Sequence, residues 1–190
     1  MKYALIALAL AAAMPLSAHA ADGLEYSYVE ADYRSSQFLG ETFDGFGIAG
    51  SVAFNDHWYG SASYDDVSKG GISLDRTFVN LGWHNAISDK ADFLAEVGYA
   101  RFGADAGSLG SDHANGYRVA AGFRGMLAPK FEGNVKASYV DGSDLSSGVG
   151  IGVGAVYHFN KTWGLTASYD HDKFDGEGMN SWGLGVRASF

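Results

Sequence analysis

Two short polar clusters in this 190-residue chain carry residue types suited to hydrolytic chemistry. Asp65-Asp66 and Asp170-His171-Asp172 combine carboxylates with a histidine, groups that can orient a water and take its proton. His113 stands beside Asp112 and Ser111, which makes a second, lipid-directed hydrolase arrangement conceivable. A dense acidic set supplies the oxygen ligands that hard divalent cations take: Glu41, Asp44, Asp65, Asp66, Asp105, Asp112, Asp141, Asp144, Asp170, Asp172, Asp175 and Glu177. None of it has EF-hand spacing. The plainer account is preferred for all of these: solvated polar loops whose like charges keep them apart. No catalytic, metal or cofactor residue is therefore assigned, and no cofactor is expected. His84 and His158 read as hydrogen-bonded fillers and His57 as a turn residue.

The elements that must position these groups are bounded first by composition. There is no cysteine, which removes disulfides, Cys-ligated zinc and thiol catalysis together. A formal charge of -9 argues against a nucleic-acid partner, because such proteins need a basic surface. Met1-Lys2, an apolar run from Tyr3 to Met14, Pro15, and the small-residue site Ala18-His19-Ala20 read as a secretory signal peptide over residues 1–20. That run is shorter than the ~20 residues a spanning helix needs. The mature domain is residues 21–190.

From Leu24 onward the hydrophobic period is two, the period of strands. Phe46, Ile48, Gly50, Val52 and Phe54 show it, as do Val149, Ile151, Val153, Ala155 and Tyr157. Ten strands are predicted, near 24–34, 43–54, 58–66, 72–84, 91–102, 116–127, 131–141, 148–159, 163–171 and 180–190. Eight remain possible if 24–34 and 163–171 are irregular. Four connections are tight, around 55–57, 85–90, 128–130 and 160–162; the other five are read as longer loops rich in Gly, Ser and Asp. Such alternation describes an up-and-down antiparallel sheet.

The two faces of that sheet differ in kind. One runs from Val29, Ala31 and Tyr33 to Trp182, Leu184, Val186 and Phe190, with its few charges (Glu25, Asp44, Asp66, Asp75, Arg101, Asp141) near strand ends. The other carries Glu30, Asp32, Arg34, Asp65, Arg76, Asp92, Glu96, Arg118, Arg124, Glu132, Lys136, Asp170 and Arg187, acids and bases nearly in balance. On the apolar face Tyr33, Tyr64, Tyr99, Tyr139 and Tyr169 line one rim, and Phe54, Trp58, Trp83, Phe93, Phe131, Phe159, Trp163 and Phe190 line the other. Such girdles mark the two interfaces of a bilayer. A soluble sandwich or lipocalin-like barrel also alternates, but gives no reason for tyrosines along one rim. A spanning sheet must close, since open edges in lipid leave backbone groups unpaired. The fold class is thus all-β, a closed up-and-down antiparallel transmembrane barrel of ten strands. The inward charges are expected to fill its lumen as a network. Inward Gly150, Gly152 and Gly154 remove bulk from one wall, which keeps a narrow porin-like conduit for small solutes or ions open as the alternative. If the hairpin pairs Trp83 with Phe93, Asp75 faces Arg101, and the two pair or Arg101 meets a lipopolysaccharide phosphate.

The closing residues Trp182, Leu184, Val186, Ala188 and Phe190 resemble the last strand of Gram-negative outer-membrane barrels, whose terminal aromatic is read by the barrel-assembly machinery. In architecture the mature chain is similar to the small OmpA/OmpX-like class. Ala21 to Tyr33 more narrowly resembles the small outer-membrane proteins described as diffusible-signal or immunity-activator proteins. The resemblance implies outer-membrane residence with both termini periplasmic, lipid and lipopolysaccharide as partners, and a structural or surface-interaction role for a monomer. Carboxylates and a histidine at the rim of a ten-stranded barrel also resemble the omptin proteases, although this chain is much shorter and its loops cannot build a deep cleft.

Overall fold

The computed structural model describes residues 23–190; the expected signal peptide lies outside them. Ten antiparallel strands follow in order: β1 (Tyr28–Phe38), β2 (Glu41–Ala53), β3 (Trp58–Lys69), β4 (Ile72–Ser88), β5 (Ala91–Asp105), β6 (Ser111–Ala128), β7 (Phe131–Asp141), β8 (Gly148–His158), β9 (Trp163–Phe174) and β10 (Glu177–Ser189). Each pairs with its chain neighbour, and β1 pairs with β10 from Tyr28 opposite Ser189 to Phe38 opposite Met179. The barrel is closed, with ten strands rather than eight.

Parity sorts the side chains as expected. Ile151 and Val153 are 53% and 49% exposed on the outer wall, while Glu132 and Asp92 are fully buried inside it. Tyr33, Phe46, Val79, Val97, Tyr99, Val119, Leu165, Leu184 and Val186 share that outer wall. A continuous apolar exterior of this extent needs a hydrocarbon solvent.

The end that carries both termini, called the terminal end, holds the short turns. The opposite, distal end differs from expectation. Three of its five connections are two-residue hairpin turns rather than loops: Leu39-Gly40, Gly70-Gly71 and Asp175-Gly176, each with positive φ at both residues. Such turns match the right-handed strand twist and favour glycine. Only residues 106–110, around a 3-10 turn at Gly107–Leu109, and residues 142–147 are longer. The strands therefore continue past the tyrosine rim as a polar β wall. At the other end the register shifts between Ala86 and Ser88 and between Met126 and Ala128, leaving Ile87 and Leu127 unmatched and exposed.

The first strand begins later than its pattern suggests. Leu24 and Tyr26 turn into the lumen and pack with Ala53, Tyr59, Leu94 and Met126, while Ser27 accepts a bond from the Ala53 amide. A second apolar group, Ala100, Val140 and Leu145 with Phe78, Phe102 and Phe174, occupies the distal lumen; the 142–147 loop brings Leu145 there.

Inward glycines stand opposite large inward side chains. Asp32 lies between Gly47 and Gly185, Arg34 between Gly45 and Gly183, and Lys136 between Gly122 and Gly152. A Cβ on Gly152 would lie 2.4 Å from Asp170 Oδ1, and one on Gly150 2.2 Å from Asp172 Oδ1. Carboxylates from the neighbouring strand lie over these two glycines, which still form part of the wall of the lumen cavity. At Gly82 a Cβ would fall 2.2 Å from the buried Tyr59 ring. Gly82→Ala should accordingly lower stability by about 1–3 kcal/mol in a denaturant titration of the folded barrel. Outward Gly50→Ala, whose nearest neighbour would be 3.7 Å away, should change it by no more than about 0.5 kcal/mol.

Candidate functional site: a layered charge network in the lumen

The period of two delivers alternate residues of every strand to one narrow space, and their ionic heads meet there at three levels. At the terminal level Glu132 is the hub. Arg124 donates to its two oxygens at 2.8 and 3.0 Å, Arg187 donates at 3.1 Å, and His158 Nε2 lies 3.2 Å away. Arg187 also donates to Glu30 at 3.0 Å. The Tyr26 ring is held between the His84 ring, stacked at 3.8 Å, and the Arg124 guanidinium at 4.6 Å. Its hydroxyl donates to Asp92, which also meets His84 Nδ1 at 3.1 Å. Tyr26 precedes β1, and burial, with Asp92 beside it and Arg124 opposing, keeps its phenol neutral far above the usual range.

The middle level is built on Glu96. It accepts from the Tyr59 hydroxyl at 2.8 Å, from Arg118 at 2.9 Å, and from Lys136 at 3.2 and 3.4 Å. At the distal level Arg34 lies 2.6 Å from Asp32, 3.2 Å from Asp65 and 3.4 Å from Asp170. Arg76 donates to Asp65 at 2.9 Å and to Asp172 at 2.9 Å. Because β4 and β9 are five places apart around a ring of ten, the Arg76–Asp172 pair crosses the full width of the barrel. A cavity of 250 Å³ lies among these levels, reaching from Tyr26 and Arg187 to Asp172 and Phe174.

Every residue read from the sequence as lumen-facing charge sits in this network. Asp172 joins it unanticipated. The sequence pattern ends the strand at 171, whereas β9 runs to Phe174, and Asp172, two residues beyond Asp170, shares its face. Tyr26 shares the inward parity of Glu30 and Asp32, but an uncharged ring gives no sign from sequence that it joins an ionic network.

The rim groups with catalytic residue types are not assembled. Asp170 and Asp172 point inward, while His171 lies on the exterior, bonded through Nδ1 to Asn180 at 2.7 Å. Asp65 is inside and Asp66 outside, where it accepts from Tyr64. His113, Asp112 and Ser111 lie exposed on β6, with His113 opposite Gly103. Among the described residues, no group of three or more His, Asp or Glu side chains is placed to hold a metal ion. Asp75 and Arg101 approach to 3.7 Å, but diagonally. The register sets Trp83 opposite Ala95 and Asp75 opposite Gly103, two residues from the expected pairing, because β4 runs on to Ser88.

At the distal rim each girdle tyrosine directs its hydroxyl outward to an acceptor. Tyr33 donates to Asp44 at 2.7 Å, Tyr139 to Asp141 at 3.0 Å, Tyr169 to Asn180 at 2.9 Å, and Tyr99 to Asn115. Tyr117, outside the anticipated set, donates to Asp141 at 3.3 Å. Trp58, Trp163 and Phe190 are exposed at the terminal end, and Trp83 is half-buried beside Phe93.

Residues 6–190 match the family described as outer membrane protein beta-barrel domain. Sequence comparison with curated proteins finds no match. Among solved structures, Ail, the attachment invasion locus protein of Yersinia pestis, is 16% identical and aligns over 88% of this chain and 100% of its own, with a TM-score of 0.45. The KdgM porin is 14% identical over 85% and 99%, with a TM-score of 0.47. The N-terminal β-barrel domain of Pseudomonas aeruginosa OprF is 15% identical over 88% and 100%, with a TM-score of 0.41.

The layered geometry makes unequal demands on its members. Glu132→Gln strips the buried hub from Arg124 and should cost about 3–5 kcal/mol of stability by denaturant titration. Tyr33→Phe, which removes one exposed rim bond, should cost about 1 kcal/mol or less.

Proposed function

The chain belongs to the outer membrane protein beta-barrel domain family, and from that premise we propose a structural or surface-interaction role for a barrel whose lumen does not conduct. The observation that carries this reading is the Arg76–Asp172 pair across the lumen, above a terminal level packed around Glu132. Buried charges at both levels are paired, as the low dielectric of a narrow barrel requires. A non-catalytic role agrees with His171 and its flanking acids facing opposite sides of the wall.

In the cell, the terminal end faces the periplasm and the distal β wall faces outward. Phe190 and the strand that ends beside it engage the barrel-assembly machinery. Lipid and lipopolysaccharide cover the apolar exterior of a monomer, and the Arg101 guanidinium, 42% exposed at the distal rim, meets a lipopolysaccharide phosphate. The acidic distal wall, with Asp44, Asp66 and Asp141 on its outer side, is the surface offered to the surroundings. A second reading, a narrow channel, draws on the 250 Å³ cavity.

Planar bilayers containing the folded protein should show no stable conductance steps. Steps in the unaltered protein, sensitive to Arg118→Gln, would establish the channel instead. Orientation is checked separately: an epitope inserted at Gly70-Gly71 should be accessible on intact cells, and one inserted at Asp89-Lys90 should not.

A further inference from the structure

The three levels are unequally charged. Two cations, Arg124 and Arg187, meet Glu30 and Glu132 at the terminal level, where Asp92 adds a third carboxylate beside Tyr26 and His84. Arg34 and Arg76 lie among four carboxylates, Asp32, Asp65, Asp170 and Asp172, at the distal level. Between these levels Arg118 and Lys136 share a single acid, Glu96.

Glu96 has little left to offer them. Tyr59, Arg118 and Lys136 already occupy both of its oxygens. Among the described residues, neither cation has a second carboxylate at ion-pair distance. Asp172, the acid across the lumen, is bonded to Arg76 and feels the Arg118 charge only from beyond ion-pair distance. Arg118 gives one bond to a described side chain out of the five N–H groups of a guanidinium. Its side chain is 12% exposed, and its guanidinium lies 5.1 Å from the centre of the Phe78 ring. Lys136 is 34% exposed, and both residues line the 250 Å³ cavity. A level of the lumen that holds one more cation than anion favours a counter-charge in the space beside it.

We propose that this chamber binds one small anion of the carboxylate or phosphate class between Arg118 and Lys136. The planar fork of Arg118 suits two oxygens of such a group, and Lys136 adds a point charge beside it. The barrel wall keeps lipid headgroups away from this position, so the ligand enters from solution. The distal acids outnumber their two arginines, so they repel polyanions at the mouth, and the occupant is small. A chamber of this volume has room for about eight waters, hence for a compact solute. The inference goes beyond the structural role and holds for a closed or a conducting lumen alike. The titration below and the bilayer recording thus fail independently.

The test is calorimetric titration of the folded, full-length mature chain in detergent micelles with inorganic phosphate at low ionic strength. Saturable one-to-one binding is expected. Lys136→Met leaves Arg118 and Glu96 evenly paired and should weaken binding by about tenfold or more. Glu96→Gln releases both cations and should tighten it by about tenfold. Lys69→Met, at the distal hairpin, should leave it unchanged. Heat-shifted electrophoretic mobility verifies folding; should the Glu96 variant not fold, Arg118→Gln takes its place, with the same loss expected as for Lys136→Met. No saturable heat in the unaltered chain, an unchanged constant in Lys136→Met, or loss of binding in Lys69→Met would overturn the site.

Discussion

Hydrocarbon offers no hydrogen bonds, and most features of this molecule answer to that constraint. Each backbone amide and carbonyl in the membrane must find a partner within the sheet, which forces β1 to meet β10 and leaves no edge. Once the ring closes, alternation leaves polar residues one destination. The lumen is polar because the exterior cannot be. The lipid thus determines, at one remove, that Glu132, Glu96 and Asp92 are buried and must find partners inside the protein.

A ten-stranded ring is narrow, and the means of fitting so many long side chains into it is glycine. Lys136 lies between Gly122 and Gly152, and Tyr59 rests against Gly82. A chain rich in strand glycines, which looks poorly suited to β structure by propensity, is here locally required. The missing side chains are the space in which the charged ones lie flat.

The same narrowness turns electrostatics into architecture. Arg187 on β10 reaches Glu132 on β7, and Arg76 reaches β9 from β4, so ion pairs tie together strands that share no backbone bonds. Burial of such groups is costly unless they are paired, which makes them poor sources of net stability but strong selectors of one arrangement. The distal rim uses a milder version of this principle. Tyrosine hydroxyls donate to Asp44, Asp141 and Asn180 just beyond the apolar band, placing a polar edge where hydrocarbon gives way to headgroups.

The sequence alone determined the period, the faces and the girdles, because a side chain's parity is a local property that no distant contact can change; ten strands rather than eight was settled by the closed ring. Ile151 outside and Lys136 inside follow from counting by twos. It could not show which ions meet. The Arg76–Asp172 and Arg187–Glu132 pairs join residues 96 and 55 positions apart, and only the strand stagger brings them to one level. Nor could it show the diagonal offset of Asp75 and Arg101, the partners that Leu24 and Tyr26 find in the lumen, or those that Asp170, His171 and Asp172 acquire on either side of the wall. Distal connections read as loops became strand because a two-residue turn with positive φ fits the twist of the ribbon. Stagger and twist are sums over the whole closed sheet, so they exist only once the ring has formed.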